Sequence, residues 1–150
     1  MNDMRQMIPA IGLLGMGMAV VYMVVLLSAQ TTRPTGDFTN AAVAEVRDAQ
    51  GQVILSGPFQ LVDEEDDDME RKAALSPTGI DADAAGEAEV EFSKAALAEQ
   101  EVEFAVRNVA PGAVLTFVID GTAVATATAD ARGRAKVELD VRMPGAGAAR

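Results

Sequence analysis

The sequence predicts an all-β protein, an antiparallel Ig-like β-sandwich of about 7–8 strands, preceded by one N-terminal transmembrane helix. The sandwich follows from short segments that alternate apolar and polar residues and are separated by turn signals. The helix follows from an apolar run at residues 7–29 that contains no charged side chain. We therefore divide the chain into a short tail (residues 1–6), a transmembrane helix (7–29), a linker (30–40), a β-sandwich domain (41–142) and a flexible tail (143–150).

The apolar run is long enough to span a membrane. As a helix it would be about 35 Å long, against a hydrocarbon core of about 30 Å. A cleaved signal peptide is the first alternative, but its apolar region is usually about 7–15 residues long, and a cut after Ala29 would place bulky Leu27 at the −3 position. A lipoprotein anchor is the second, and it requires a cysteine, which the chain lacks. We expect an uncleaved span.

Charges beside the span set the expected orientation. The N-terminal amine and Arg5 precede it, with Asp3 as a partial offset, and the sequence becomes strongly acidic after Arg33. Under the positive-inside rule, the N-terminus is cytoplasmic and the C-terminal domain is periplasmic. The protein is expected in the bacterial inner membrane as a single-pass protein.

Three small residues share one stripe of the predicted helix. Gly12, Gly15 and Ala19 are spaced i, i+3 and i+7, and the Gly15–Ala19 spacing is one that lets a second helix approach closely. Glycine is also common in membrane spans that only anchor a protein. We favour the first interpretation, which makes these three residues a helix-docking site.

The soluble part alternates with a period of two residues. Predicted strands occupy residues 43–47, 52–59, 69–76, 87–92, 101–107, 114–119, 123–129 and 134–141. In the fourth of these, Ala88, Val90 and Phe92 are expected to point inward and the glutamates between them outward. Asp120-Gly121 predicts a tight hairpin. The sequences Asp-Ala-Gln-Gly at 48–51 and Asp-Ala-Arg-Gly at 130–133 predict the same turn chemistry twice.

The segment at residues 114–119 is apolar on both faces. Such a strand is covered on each side by its own domain or is covered by another protein. If a partner covers it, Val114, Thr116 and Val118 are the candidate partner-facing residues.

Six consecutive carboxylates, from Asp63 to Asp68, invite a calcium interpretation. An EF-hand loop needs ligands at alternate positions, a glycine at the sixth and a glutamate at the twelfth, and this run has neither the glycine nor the spacing. We expect a solvated loop. A loose, weak cation site is the alternative.

The stretch at residues 109–135 combines the turns Ala110-Pro111-Gly112, Asp120-Gly121 and Asp130-Ala131-Arg132-Gly133 with two apolar strands. It resembles small bacterial extracytoplasmic β-sandwich modules of unassigned role. The resemblance implies the fold and the compartment, and it assigns no functional residue.

Composition restricts the function. The net charge of −11 would repel nucleic acid and anionic lipid headgroups. The chain has no histidine, cysteine or tryptophan, which excludes most nucleophile–histidine pairs and the usual zinc, copper and haem ligand sets. We expect a protein that is not an enzyme and has no cofactor.

Two functions are consistent with this pattern. The favoured one is a non-catalytic accessory subunit of a multi-subunit membrane complex, with the span docked on a neighbouring helix and the sandwich bracing the outer face. Its partners would be other membrane-protein subunits and the lipid bilayer, and a respiratory or photosynthetic assembly would suit such a subunit. The alternative is a free-standing, membrane-anchored binding module for a cation, glycan or peptide.

Overall fold

The computed structural model describes residues 34–64, 68–93 and 99–144. These residues belong to one compact unit. The predicted tail at residues 1–6, the predicted span at 7–29 and its stripe of Gly12, Gly15 and Ala19 lie outside the described residues.

Within the described ranges, no helix has both the length and the apolar character needed to cross a bilayer.

The described part of the chain is all-β and antiparallel, as predicted from the alternation. Its nine strands are β1 (Val43–Arg47), β2 (Val53–Pro58), β3 (Gln60–Glu64), β4 (Asp68–Pro77), β5 (Ala85–Ser93), β6 (Glu99–Arg107), β7 (Val114–Ile119), β8 (Thr122–Thr128) and β9 (Ala135–Arg142). The number exceeds the predicted 7–8 because β3 is an additional strand that follows β2 after one residue, Phe59.

The strands form one sheet that is nearly closed into a barrel. Its order is β8-β7-β1-β2-β4-β5-β6-β9, and β3 pairs with β4 beside β2. Strands β2 and β3 use the same edge of β4, with Ser56 opposite Ser76 and Gln60 opposite Lys72. The chain therefore bends at Phe59, and β4 joins the two halves of the sheet.

The core lies between these halves. Every second residue of the strands points inward, and the buried set includes Val46, Leu55, Val90 and Phe104. The rings of Phe104 on β6 and Phe117 on β7 meet with centroids 5.0 Å apart at 46°. This contact joins two strands that are not neighbours in the sheet and fills the interior.

Residues 34–38, which we call the N-terminal strap, lie against one end of the sheet. Gly36 N donates to Arg142 O and Arg142 N donates to Pro34 O, each at 3.1 Å, so the strap lines the edge of β9. Phe38 is buried in the core. The Gln100 side chain, 2% exposed, accepts from Phe38 N at 2.8 Å and donates to Gly36 O at 3.1 Å. Part of the predicted linker is thus packed on the domain.

The repeated turn chemistry is confirmed. The Asp48 carboxylate accepts hydrogen bonds from the backbone N–H groups of Gln50 and Gln52 at 2.9 and 2.8 Å. The Asp130 carboxylate accepts from those of Arg132 and Arg134 at 2.8 and 2.9 Å, and these bonds lower its pKa. Both turns are closed by the same pattern of an aspartate that caps the following backbone.

Candidate functional site

Four neighbouring strands, β4, β5, β6 and β9, direct acidic side chains to their outer surface. Along β5 and β6 the cause is local, because apolar residues such as Val90 and Val102 alternate with glutamates and occupy the core. We call this surface the acidic face, and it comprises Glu70, Glu89, Glu91, Glu101, Glu103, Glu138 and Asp140.

The register aligns these carboxylates in rows across the strands. In the first row, Glu70 lies opposite Glu91, Glu91 opposite Glu101, and Glu101 opposite Asp140. Like charges directly opposite one another in a sheet are destabilising. These four positions of the row hold no basic residue, and the Lys72 ammonium in the neighbouring row pairs with Glu70.

A second row carries the compensating lysine. Lys72 lies opposite Glu89, followed by Glu103 and Glu138. The Lys72 ammonium pairs with Glu70 and, at 3.4 Å, with Glu89. Lys136, two residues before Glu138 on β9, approaches Glu103 at 2.9 Å and Glu138 at 3.6 Å. These pairs neutralise only part of the face.

The environment moves the pKa values of these carboxyls in different directions. Desolvation, followed by a hydrogen bond with Glu91, raises the pKa of Glu89 to about 7 against the opposing effect of Lys72. Desolvation, followed by the negative charges of its neighbours, also raises the pKa of Glu101. The hydrogen bond from Lys72 lowers the pKa of Glu70. The face therefore holds carboxyls that resist ionisation beside one that favours it.

Three of these carboxylates are close enough to share a cation. One oxygen from each of Glu70, Glu89 and Glu91 lies within 4.8 Å of the others. Carboxylate oxygens suit hard cations such as Ca²⁺. The Lys72 ammonium already occupies the corner between Glu70 and Glu89, so a protein ammonium stands where a cation would bind.

The first row borders a depression of about 500 Å³ at one end of the sheet. Its walls include Asp68, Glu91, Glu101 and Asp140. Carboxylates grouped around a depression suit the charged end of a lysine or arginine side chain. The chemistry that this site offers is recognition of positive charge.

Three residues of β7, Val114, Thr116 and Val118, were predicted to face a partner. They lie on the outward side of the strand, whereas Leu115 and Phe117 point inward. Val114 is 48% exposed, Thr116 is half-buried and Val118 is 2% exposed. Whether they face a partner stays a prediction. The other predicted site, the stripe on the span, is not part of the described residues.

The prediction of a solvated loop at the acidic run from Asp63 to Asp68 is corrected in part. Asp63 and Glu64 belong to β3 and Asp68 begins β4, so the ends of the run are paired backbone, while residues 65–67 lie outside the described ranges. The acidic face was missed from the sequence, although the outward glutamates at residues 87–92 were anticipated. The missing information was the strand order, which brings β9 beside β6.

Comparison of the chain with protein-family models, curated proteins and solved structures finds no match.

Proposed function

We propose that this chain is a non-catalytic accessory subunit of a multi-subunit membrane complex, and that its acidic face binds a basic surface of a neighbouring subunit. The span at residues 7–29 would anchor it in the bacterial inner membrane, with Gly12, Gly15 and Ala19 docked on another helix and the β-domain in the periplasm. The domain would keep the two-layered, Ig-like character expected from the sequence, with one half of the sheet carrying the partner contact.

The observation that carries this proposal is the concentration of carboxylates on the acidic face, where Glu91 and Glu101 lie in one row between Glu70 and Asp140. Four carboxylates in register lower the stability of the free domain. Local arrangements that lower stability without an internal gain are expected at functional surfaces. Lysine and arginine side chains from a partner would add countercharge to this row, and complementary charge gives such a contact its specificity.

The absence of histidine and cysteine supports a non-catalytic role, because the usual acid–base and nucleophile sets need them. Lipid headgroups are a poor alternative ligand, since the net charge of −11 opposes binding to anionic membranes.

Cation binding is the second candidate function. The grouping of Glu70, Glu89 and Glu91 oxygens favours it, and it corresponds to a free-standing anchored module. It predicts that millimolar Ca²⁺ raises the melting temperature of the full chain. Partner binding predicts no such rise, because Lys72 already neutralises Glu70 and Glu89.

Native electrophoresis of mildly solubilised membranes tests the proposal. The wild-type chain should migrate with a large complex, and a Glu101→Gln/Asp140→Asn variant should be found mainly as a small free species. The matched control is Asp81→Asn/Asp83→Asn, which removes the same charge from the loop between β4 and β5. A wild-type chain that migrates alone, or equal behaviour of the two variants, would contradict the proposal.

A further inference from the structure

The N-terminal strap lies beside β9 in a defined direction. Thr35 is opposite Arg142 in a parallel bridge, with Arg142 N donating to Pro34 O and Gly36 N donating to Arg142 O. Two hydrogen bonds to the buried Gln100 side chain fix the strap in this position. Because the bridge is parallel, a chain that continues in the same direction before Pro34 follows β9 back toward its first residue.

The edge of β9 has backbone groups that can receive such a continuation. Among the described strands, β9 is hydrogen-bonded to β6 alone and ends the sheet order. Alternate residues of a strand direct their N–H and C=O groups to opposite edges, so Asp140 and Glu138 direct theirs to the edge where Arg142 bonds to the strap. The inward side chains of Val137 and Leu139 are only partly buried, which leaves room for cover on this side.

We propose that residues 31–33 continue the strap as a parallel strand on the edge of β9. In the register set by Thr35 and Arg142, Arg33 lies opposite Asp140. Directly opposed residues of paired strands have their side chains on the same face of the sheet, and Asp140 is on the outer face. The Arg33 guanidinium therefore meets the Asp140 carboxylate, and such an opposite-charge pair stabilises strand pairing.

The same register assigns the backbone hydrogen bonds. Thr32 accepts a hydrogen bond from Asp140 N and donates one to Glu138 O. Pro34 has no N–H to offer to the Asp140 carbonyl, so the pairing has one bond fewer than a regular ladder. The segment is thus held by two backbone bonds and one ion pair in addition to the bonds of the strap.

Sequence and charge favour this segment over a strand from another molecule. Thr31 and Thr32 are β-branched, and a residue that precedes proline, as Arg33 does, is restricted to extended conformations. The segment is covalently joined to the strap, so its local concentration at the edge is high. A second copy carries the same net charge of −11 and would approach the carboxylates of β9 against repulsion.

The pairing has a consequence for the acidic face. Lys72 already pairs with Glu70 at one end of the first row, and Arg33 would pair with Asp140 at the other. Glu91 and Glu101 then lie between two paired ends and carry the negative charge that the row presents. The inference itself does not depend on the partner subunit proposed above.

The first test uses the absence of cysteine from the chain. Thr31→Cys/Glu138→Cys places two thiols on directly opposed residues, about 5 Å apart, within the range of a disulfide. Thr31→Cys/Glu103→Cys is the matched control, because Glu103 lies opposite Glu138 on β6, one strand farther away at about 10 Å. During mild oxidation of the full chain in mild detergent, the first variant should form a disulfide within one chain at least several-fold faster than the control. Equal rates, or a product that joins two chains, would overturn the proposal.

The second test examines the backbone pairing. Thr32→Pro removes the N–H that bonds to Glu138 O, whereas Thr31→Pro removes one that faces away from β9. Hydrogen exchange of the full chain, followed by mass spectrometry, should be about three- to tenfold faster at residues 138–140 in Thr32→Pro and unchanged in Thr31→Pro. Wild-type exchange in both variants, or an equal increase in both, would refute the pairing.

Discussion

Raising the pH from about 5 to about 8 should destabilise the β-domain through the Glu89 carboxyl. Its pKa is raised from 4.5 to about 7 by desolvation, then by its hydrogen bond with Glu91. The folded state thus holds a proton that the unfolded state has released, and between these two pKa values folding loses stability as the pH rises. Burial and neighbouring charges raise the pKa of Glu101 too, which acts in the same direction. Glu70 has the opposite effect on stability, because its pKa is lowered in the folded state. Its stabilising contribution is lost only as the solution becomes more acidic.

The expected loss of stability can be calculated from the pKa shift of Glu89. At about 1.36 kcal/mol per pKa unit, a rise from 4.5 to about 7 corresponds to at most roughly 3 kcal/mol. The Glu89 side chain is 28% exposed, and solvent screening reduces the expected loss to about 1–2 kcal/mol. For a domain of about 100 residues, each kcal/mol of that loss lowers the melting temperature by roughly 4–8 °C.

Thermal unfolding of the full chain in mild detergent, followed by circular dichroism between about pH 4.5 and 8, measures this dependence. Glu89→Gln should remove most of the decline in melting temperature between the acidic and the alkaline end. Glu87→Gln, on the same strand and the same side of the sheet, is the control and should retain the decline. The reasoning is refuted if the wild type is as stable at the alkaline end as at the acidic end, or if both variants keep the same slope.

Three further substitutions test the packing. Gly57→Ala should destabilise the domain by about 3 kcal/mol or prevent folding, because the new Cβ would lie 2.1 Å from Ala74 O; chemical denaturation measures this. Gln100→Leu should cost about 2–4 kcal/mol and expose the N-terminal strap to limited proteolysis, because two backbone groups of the strap lose their partner. Asp120→Ala should lower the free energy of unfolding by about 1–2 kcal/mol, as measured by calorimetry, because the Asp120 carboxylate accepts hydrogen bonds from two backbone N–H groups near β1 and the residue has a φ of 48°. Asp120→Asn should cost less.

The strands that sequence analysis predicted best have a strong local signal. The predicted bounds 43–47 and 114–119 are those of β1 and β7, and the inward residues Ala88, Val90 and Phe92 are buried. The Asp120-Gly121 hairpin forms where expected, between β7 and β8. Each of these features depends on a few consecutive residues, so alternation and turn chemistry suffice to predict it.

The features that were missed depend on contacts between distant segments. Strand β3 ends in acidic residues that resemble a loop, and it is held by backbone pairing with β4, which leaves no pattern in its own sequence. The burial of Gln100 follows from its bonds to the N-terminal strap, more than 60 residues away. The candidate site was missed for the same reason, because Glu101 and Asp140 become neighbours only through the pairing of β6 with β9.

Site-specific photo-cross-linking in native membranes tests most directly the claim that the acidic face binds a partner subunit. A photoreactive side chain at Glu101, on the acidic face, is compared with one at Asp83, in the loop between β4 and β5. The proposal predicts a discrete adduct of the chain with one other membrane-complex subunit from position 101, weakened by high salt, and little adduct from position 83. An absence of adduct from position 101, or the same adducts from both positions, would contradict it.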